Sequence, residues 1–511
     1  MTPAVTPAVT PAVTPVQPER WPMPVPSVSA HRLVAMLGSV PADRVGEPRY
    51  RALAMSVRGL VVDGRLLPGW RLPSERDLAA AAGLSRNTVS HAYDLLREWG
   101  CQESVRGSGS TVRLPCGGPG ELSAQGSAGP RLPGRDDAID LTRACPEAAP
   151  EVAQAYRAAL QALPPHLGAS GYEAVGLAVL REAVARRYDA RGLPTDPAQI
   201  VITNGALAGL AVLTRAFVGA GDRVVVESPG YPTAVATLRR GGARIVGVAV
   251  GDDGVDPADL ASAVRQTAPR VALLTPDYQN PTGALTPAGQ RATLGAVLAR
   301  ERVLTVIDET LVEVALDGRG VATNPPPYAA CVASGGDVVT IGSVSKSHWG
   351  GLRIGWLRVP PGLLGPVTAA RTTLDLGAPL VEQLAAAWLL DHEPGLSASM
   401  LARTRARRDA FAAALAAGLP SWAFRLPSGG LSLWCRLPHE AAAALAEAAA
   451  SDGLLVVPGP VFSADGLGLQ RYLRLPYTLD GDRLVEAAGR LAAAWERVAG
   501  GTVRPAAGLV T

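Results

Sequence analysis

The run Val338-Val339-Thr340-Ile341-Gly342-Ser343-Val344-Ser345-Lys346, followed closely by Gly351-Leu352-Arg353-Ile354-Gly355, holds the most informative residue of this chain. It begins as an apolar segment of strand character, breaks at a polar turn, and presents a lysine there. Of 48 basic side chains, Lys346 alone is not arginine. A preference for arginine can displace lysine wherever only positive charge is wanted. It cannot do so where a primary amine must deprotonate and attack a carbonyl, because guanidinium stays charged and forms no Schiff base. A surface lysine that escaped substitution is the plain alternative, and the flanking motif weighs against it.

The surrounding pattern predicts the scaffold. Apolar runs at 200–203, 223–227, 271–275, 303–307 and 338–341 alternate with longer helical segments. That alternation predicts a mostly parallel sheet covered on both faces. Ligands of such sheets gather beyond the carboxyl ends of the strands. Residues of chemical interest follow the five runs in order: Gly205, Tyr231, Asn280, Asp308, and the turn from Ser343 through Ser345 to Lys346. Taken singly, Asp308 could be a helix cap, Asn280 a plain turn former and Tyr231 a core aromatic.

Together they suit a phosphorylated pyridine aldehyde. Lys346 would hold the aldehyde. Asp308, a carboxylate costly to bury without a cation, would meet the protonated ring nitrogen. Asn280, in Gln279-Asn280-Pro281-Thr282-Gly283, can donate to the ring hydroxylate. Tyr231, in Pro229-Gly230-Tyr231-Pro232, offers a flat face for stacking. The phosphate would rest on the backbone N–H groups of Gly205, Ala206 and Leu207 at a helix start, with Ser343 and Arg353 completing the cup.

These motifs resemble those of the fold type I aminotransferases, which implies pyridoxal 5'-phosphate as cofactor and a smaller C-terminal α/β subdomain. The resemblance adds two positions. Arg474, in Tyr472-Leu473-Arg474-Leu475-Pro476, matches the arginine that clamps a substrate α-carboxylate. Tyr172, in Gly171-Tyr172-Glu173-Ala174-Val175-Gly176, matches a tyrosine that reaches the phosphate of the neighbouring subunit, which implies a homodimer with shared sites. There is also a departure. The family usually places a tyrosine two or three residues after the aspartate, whereas Glu309-Thr310-Leu311 stands here, and Leu207-Ala208 replaces the usual polar pair of the phosphate helix. Both changes tell against efficient transamination and much less against cofactor binding.

The N-terminal end carries a different signal. Residues 31–113 hold 12 arginines against 8 acids, while the whole chain has a net charge of only +3. The surplus is local and points to an anionic partner for that end. An apolar stretch from Arg32 to Leu37 predicts an accessory helix. Tyr50, Leu53, Val57, Leu60 and Val61 share one helical face, closed by Asp63-Gly64. Ser74 caps a second helix with Asp77 as reciprocal partner, that helix ends at Gly83, and Ser85 caps a third whose buried face is Val89, Ala92, Tyr93 and Leu96. Two helices joined by a tight glycine turn make a helix-turn-helix. Ser85, Arg86, Asn87 and Thr88 crowd the start of the third helix, where base edges and phosphates are met. The segment Glu103-Ser104-Val105-Arg106-Gly107-Ser108-Gly109-Ser110-Thr111-Val112 predicts a two-stranded wing. A bundle that contacts only protein is the alternative reading of the helices.

Leu72-Pro73-Ser74-Glu75-Arg76-Asp77-Leu78-Ala79, with Leu84-Ser85-Arg86-Asn87-Thr88-Val89 and Arg106-Gly107-Ser108-Gly109-Ser110, resembles the GntR family of winged helix regulators. By that resemblance Arg76, Arg86, Thr88, Arg106 and Gly107 are DNA contacts. Five scattered cysteines lack metal-ligand spacing and fit a reducing cytoplasm, so no metal site is expected. No apolar run is long enough for a membrane span.

The expected organisation is a Thr-Pro-Ala-Val tail at 1–30, a mainly α winged helix-turn-helix at 31–113 and a flexible linker at 114–139. An α/β domain of pyridoxal-phosphate-dependent transferase fold follows at 140–500, with a short tail at 501–511. This arrangement is similar to the MocR-type branch of GntR regulators. It implies a homodimer that binds operator DNA and senses a small amino-group effector on its cofactor. A working aminotransferase with a DNA-binding appendage, and a sensor of the cofactor itself, remain as alternatives.

Overall fold

The computed structural model describes residues 27–37, 48–62, 66, 70–99, 101–105, 109–112, 138–318, 324–332, 336–392 and 397–499. The chain divides into two compact units, Met1–Gly118 and Pro119–Thr511.

The first unit is built on α1 (Ala30–Leu37), α2 (Arg49–Val62), α3 (Glu75–Ala82) and α4 (Arg86–Glu98), followed by β1 (Gln102–Val105) and β2 (Gly109–Val112). The caps act where the sequence puts them. The Asp77 amide donates to Ser74 Oγ at 3.1 Å and the Thr88 amide to Ser85 Oγ at 3.1 Å. Each satisfies an amide that the first helical turn leaves without a partner. Between them Gly83 closes α3 at φ 65°, a left-handed conformation that costs glycine little. Leu53, Val57, Leu60, Leu78, Val89, Ala92, Tyr93 and Leu96 are buried together. The Tyr93 hydroxyl donates to Pro73 O at 2.9 Å and fastens α4 to the connector before α3.

Residues 27–30, assigned to the tail, belong instead to this unit. The Val28 amide donates to Arg71 O at 3.0 Å, and Val28 is buried in the core. The physical reason lies in the wing, because Arg71 pairs with Thr111 on one side and Ser27 with Arg71 on the other. An open strand edge and an apolar slot recruit the segment.

In the second unit β3 (Ile139–Asp140) is followed by β4 (Ile200–Thr203), β5 (Arg223–Ser228), β6 (Arg244–Gly251), β7 (Gly254–Val255), β8 (Val271–Leu274), β9 (Leu304–Asp308), β10 (Val338–Ser343) and β11 (Gly355–Arg358). Among the described residues β4 to β11 form one eight-stranded sheet in the order β4-β11-β10-β9-β8-β5-β6-β7. The neighbours β10, β9, β8, β5 and β6 run parallel. Sequence reading missed β11, which is antiparallel to both β10 and β4. Two reversals restore the direction, so β4 ends at the same edge as β10. The turns after β4, β5, β8, β9 and β10 therefore open on one side. The central strand β8 is apolar throughout and β5 carries the buried run Val224–Val226, and each fully buried Val or Leu stabilises by roughly 1.5–3 kcal/mol.

The C-terminal part adds β12 (Ala423–Phe424), β13 (Ser432–Arg436), β14 (Leu454–Leu455), β15 (Val457–Pro458) and β16 (Tyr472–Pro476). A four-stranded antiparallel sheet runs β12-β13-β16-β15 over a core that includes Phe411, Leu433, Leu445, Leu473 and Leu491. Ile139, placed at the end of the linker, is fully buried and pairs in parallel with Leu454. Among the described residues no helix is long and apolar enough to cross a membrane.

Candidate functional site

Lys346 stands in the turn that ends β10. The His348 amide donates to Val344 O at 2.9 Å, closing a single helical turn around it. Its Nζ donates to Ala144 O at 2.7 Å and touches Cys145 Sγ at 3.3 Å. Asp308 ends the adjacent strand β9, level with Ile341 of β10. Burial raises its carboxyl above the ordinary value, opposed by hydrogen bonds from Thr310 and by the nearby charge of Lys346. An anion so desolvated, with an amine facing it, suits a cationic ring held between them.

The opposite end of the cavity is a cradle. Gly205 has φ 89° and precedes the helix Ala206–Phe217, whose first amides have no partner within the helix. A Cβ at Gly205 would lie 2.6 Å from Arg353 Nη2, and one at Gly355 would lie 2.7 Å from the Ala206 amide. Arg353 donates to Asn204 O at 3.1 Å, which aims its guanidinium across the helix start. Ser343 Oγ donates to Ile354 O at 2.9 Å and accepts from the Ser345 amide at 3.1 Å. Gly205, Ala206, Leu207, Ser343, Ser345 and Arg353 are thus brought around one helix N-terminus, where unpaired amides and the helix dipole attract an anion.

Arg474 on β16 closes the third side. It is 6% exposed and donates to Thr142 O, and its guanidinium lies 4.9 Å from the Phe462 ring centroid. Desolvation pulls its pKa down to about 10, offset in part by Tyr231, Cys145 and Asp140. Its Nε has no partner, and neither does Asn280 Oδ1. Buried polar atoms left without partners cost about 1–3 kcal/mol each, and both fit a ligand that supplies the missing half of the bond. Tyr231 is 39% exposed at the start of the next helix. Tyr172 is 70% exposed.

Sequence reading missed the residues that hold these groups in place. Arg291 and Asp277 form a fully buried pair at 2.7 Å, and Arg291 also ties Thr286 O and Pro276 O beside the Asn280 turn. Glu227 follows the apolar run of β5, one residue before its end, much as Asp308 ends β9, and that signal could have found it. Glu227 accepts from the Thr275 amide at 2.9 Å and from Gln279 Nε2 at 3.1 Å. Burial pushes its carboxyl up to about 7. Glu309, directly after Asp308, pairs with Arg191 at 2.9 Å, and Glu313 pairs with Arg187. The region after Asp308 is therefore committed to buried ion pairs.

In the first unit, Ser85, Arg86, Asn87 and Thr88 gather at the exposed start of α4, with Arg76 exposed on α3. The Arg86 side chain is 74% exposed and lies 3.8 Å from Glu75. Arg106 and Gly107 lie outside the described residues.

Residues 146–491 match the aminotransferase class I and II family, and residues 49–112 match the gntR family of bacterial regulatory proteins. The transcriptional regulator TauR of Rhodobacter capsulatus is 30% identical over 478 residues, spanning 88% of this chain and 96% of its own length. The chain is a MocR-type member of the GntR regulators. The probable rhizopine catabolism regulatory protein MocR of Rhizobium meliloti is 32% identical across 62% of this chain and 66% of its own. Among solved structures, the α-aminoadipate aminotransferase LysN of Thermus thermophilus, complexed with N-(5'-phosphopyridoxyl)-L-leucine, superimposes with a TM-score of 0.64. It is 27% identical and covers 71% of this chain and 94% of its own. This MocR-type regulator thus joins a GntR helix-turn-helix to a domain of the pyridoxal-phosphate-dependent aminotransferase fold, and its DNA-binding character comes with the first of the two.

Proposed function

We propose that the large unit binds pyridoxal 5'-phosphate on Lys346 and reports a small amino-group effector to the operator-binding unit. One observation carries the proposal. Lys346 Nζ and the Arg474 guanidinium converge on residues 142–145, by hydrogen bonds to Ala144 O and Thr142 O. An amine site and a carboxylate site are thus set a few ångströms of backbone apart, as an amino acid requires. The phosphopyridoxyl-leucine held by LysN supports the same pairing of cofactor and amino acid.

The cofactor, when bound, supplies an electrophilic aldehyde and an electron-withdrawing ring. Asp308 would keep the ring nitrogen protonated, Asn280 would meet the ring oxygen, and Tyr231 would cover one face. Gly205, Ala206, Leu207, Ser343, Ser345 and Arg353 would hold the phosphate. The effector amine would take the place of Lys346 Nζ while Arg474 receives its carboxylate. Arg76, Ser85, Arg86, Asn87, Thr88, Arg106 and Gly107 would contact operator DNA, within a winged helix domain at 31–113 tethered by residues 114–139. Exposed Leu160, Leu167, Leu374 and Leu376 support a homodimer, with Tyr172 serving the site of the partner subunit.

An active aminotransferase is the second reading, favoured by the likeness to LysN and weakened by the charged pairs that follow Asp308. Borohydride reduction of the cofactor-soaked chain should leave a phosphopyridoxyl group on Lys346, and amino acids should change operator affinity in that preparation. A chain that takes up no cofactor refutes the proposal. Steady keto-acid release from many amino acids, with operator affinity unmoved, selects the enzyme instead.

A further inference from the structure

Cys145 is not used by the function proposed above, yet it ends 3.3 Å from Nζ of the chain's one lysine. It is exposed and free, whereas Cys101 and Cys435 are buried. The site around it is built to meet a charged guest. Arg474, nine-tenths buried, has Cys145 among the charges facing its guanidinium and keeps an Nε donor without a partner. A thiol, an amine and a cationic donor are therefore gathered at one place, the amine touching the thiol.

We propose that Cys145 and Lys346 form an oxidisable thiol–amine pair that hydrogen peroxide closes into a sulfenamide. The Cys145 thiolate attacks one peroxide oxygen, the O–O bond breaks, and hydroxide leaves to become water; sulfur is oxidised by two electrons and carries the hydroxyl. Neutral Lys346 Nζ then attacks that sulfur. The S–N bond forms as the S–O bond breaks, and the hydroxyl departs with an amine proton as a second water. One thiol, one amine and one peroxide give one sulfenamide and two waters, with peroxide as the sole oxidant. The unpartnered Arg474 Nε would hydrogen-bond the incoming peroxide or the departing hydroxide. The contact already brings nitrogen to sulfur, so closure asks only a movement of the flexible lysine tip.

The consequence rests on the cofactor reading, whereas the cross-link does not: sulfenamide and cofactor both consume Nζ, so each excludes the other. Reduced full-length chain without cofactor is treated with equimolar hydrogen peroxide and digested for mass spectrometry. The expected product joins the Cys145 and Lys346 peptides, is lighter than their sum by two hydrogen atoms, and reverts with dithiothreitol. Cofactor uptake is lost in the oxidised chain and restored on reduction. Cys145→Ser gives no cross-link and keeps its uptake after peroxide, while Lys346→Arg leaves Cys145 as a sulfenic acid that dimedone captures. A disulfide in place of the cross-link, Cys145 carried on to sulfinic acid, or the same loss of uptake in Cys145→Ser overturns the proposal. A chain that cross-links yet never takes up cofactor instead sinks the cofactor reading alone.

Discussion

The start of α4 and the turn around Lys346 are both places where the chain offers polar groups to a partner, and they are built on opposite terms. At α4 the side chains Ser85, Arg86 and Asn87 are exposed, and among the described residues Arg86 meets an acid in Glu75 at 3.8 Å. Around Lys346 the side chains are tied down by buried partners, down to the fully buried Arg291–Asp277 pair, while Arg474 Nε and Asn280 Oδ1 keep a bond to offer. The difference follows from the partners. DNA arrives with its own charge and water, so affinity needs cations free to rearrange on a scaffold held by caps and core. A small charged ring in a low-dielectric cavity needs its counter-charges placed beforehand, and each placement requires a further buried partner.

Four measurements test that contrast. Lys346→Ala should abolish covalent cofactor uptake and the effector response, read as loss of the visible chromophore and of the ligand-dependent shift in operator binding. Operator affinity falling in parallel, without ligand, would mean the regions are not separable.

Arg291→Ala should destabilise the large unit by roughly 3–5 kcal/mol, because it strands the Asp277 carboxylate in the interior. Urea unfolding monitored for each unit should show one transition moving and the other in place.

Glu227 predicts a pH dependence of defined sign. Its carboxyl holds a proton to about 7 in the folded chain against an ordinary value of 4.5. Its stabilisation is therefore complete below the lower value and lost as pH rises through the upper one. The slope is about 1.4 kcal/mol per pH unit between them. Burial raises Asp308 as well, in the same sense. Glu227→Gln should flatten the curve of unfolding free energy against pH, and an unchanged curve would place the titration elsewhere.

The smallest effect is expected at the exposed end. Arg86→Ala should weaken operator binding by about 1–3 kcal/mol if it reads a guanine, with no change in unfolding. A loss uniform over all sequences would reassign it to phosphate.

The same contrast explains what could be read from the sequence. Ser74, Gly83 and Ser85 were legible because capping is local, settled by residues within three positions of one another. The five strand ends were legible because each couples an apolar run to one polar residue. Strand β11 was not, since its few residues follow a glycine-rich turn and pair both with β10 just before it and with β4, from Gly355–Thr203 to Arg358–Ile200. The pairs Arg191–Glu309 and Arg291–Asp277 were equally hidden, because nothing in a linear pattern marks which arginine meets which acid. Residues 27–30 were misassigned for a related reason: only the folded wing reveals the edge that Val28 occupies.

Strand β3 has a mechanical meaning. Ile139 is stitched alongside Leu454, and within six residues the same segment accepts hydrogen bonds from Arg474 at Thr142 O and from Lys346 at Ala144 O. The segment that follows the N-terminal unit in the chain is therefore moored on the same two side chains that the proposed effector would engage.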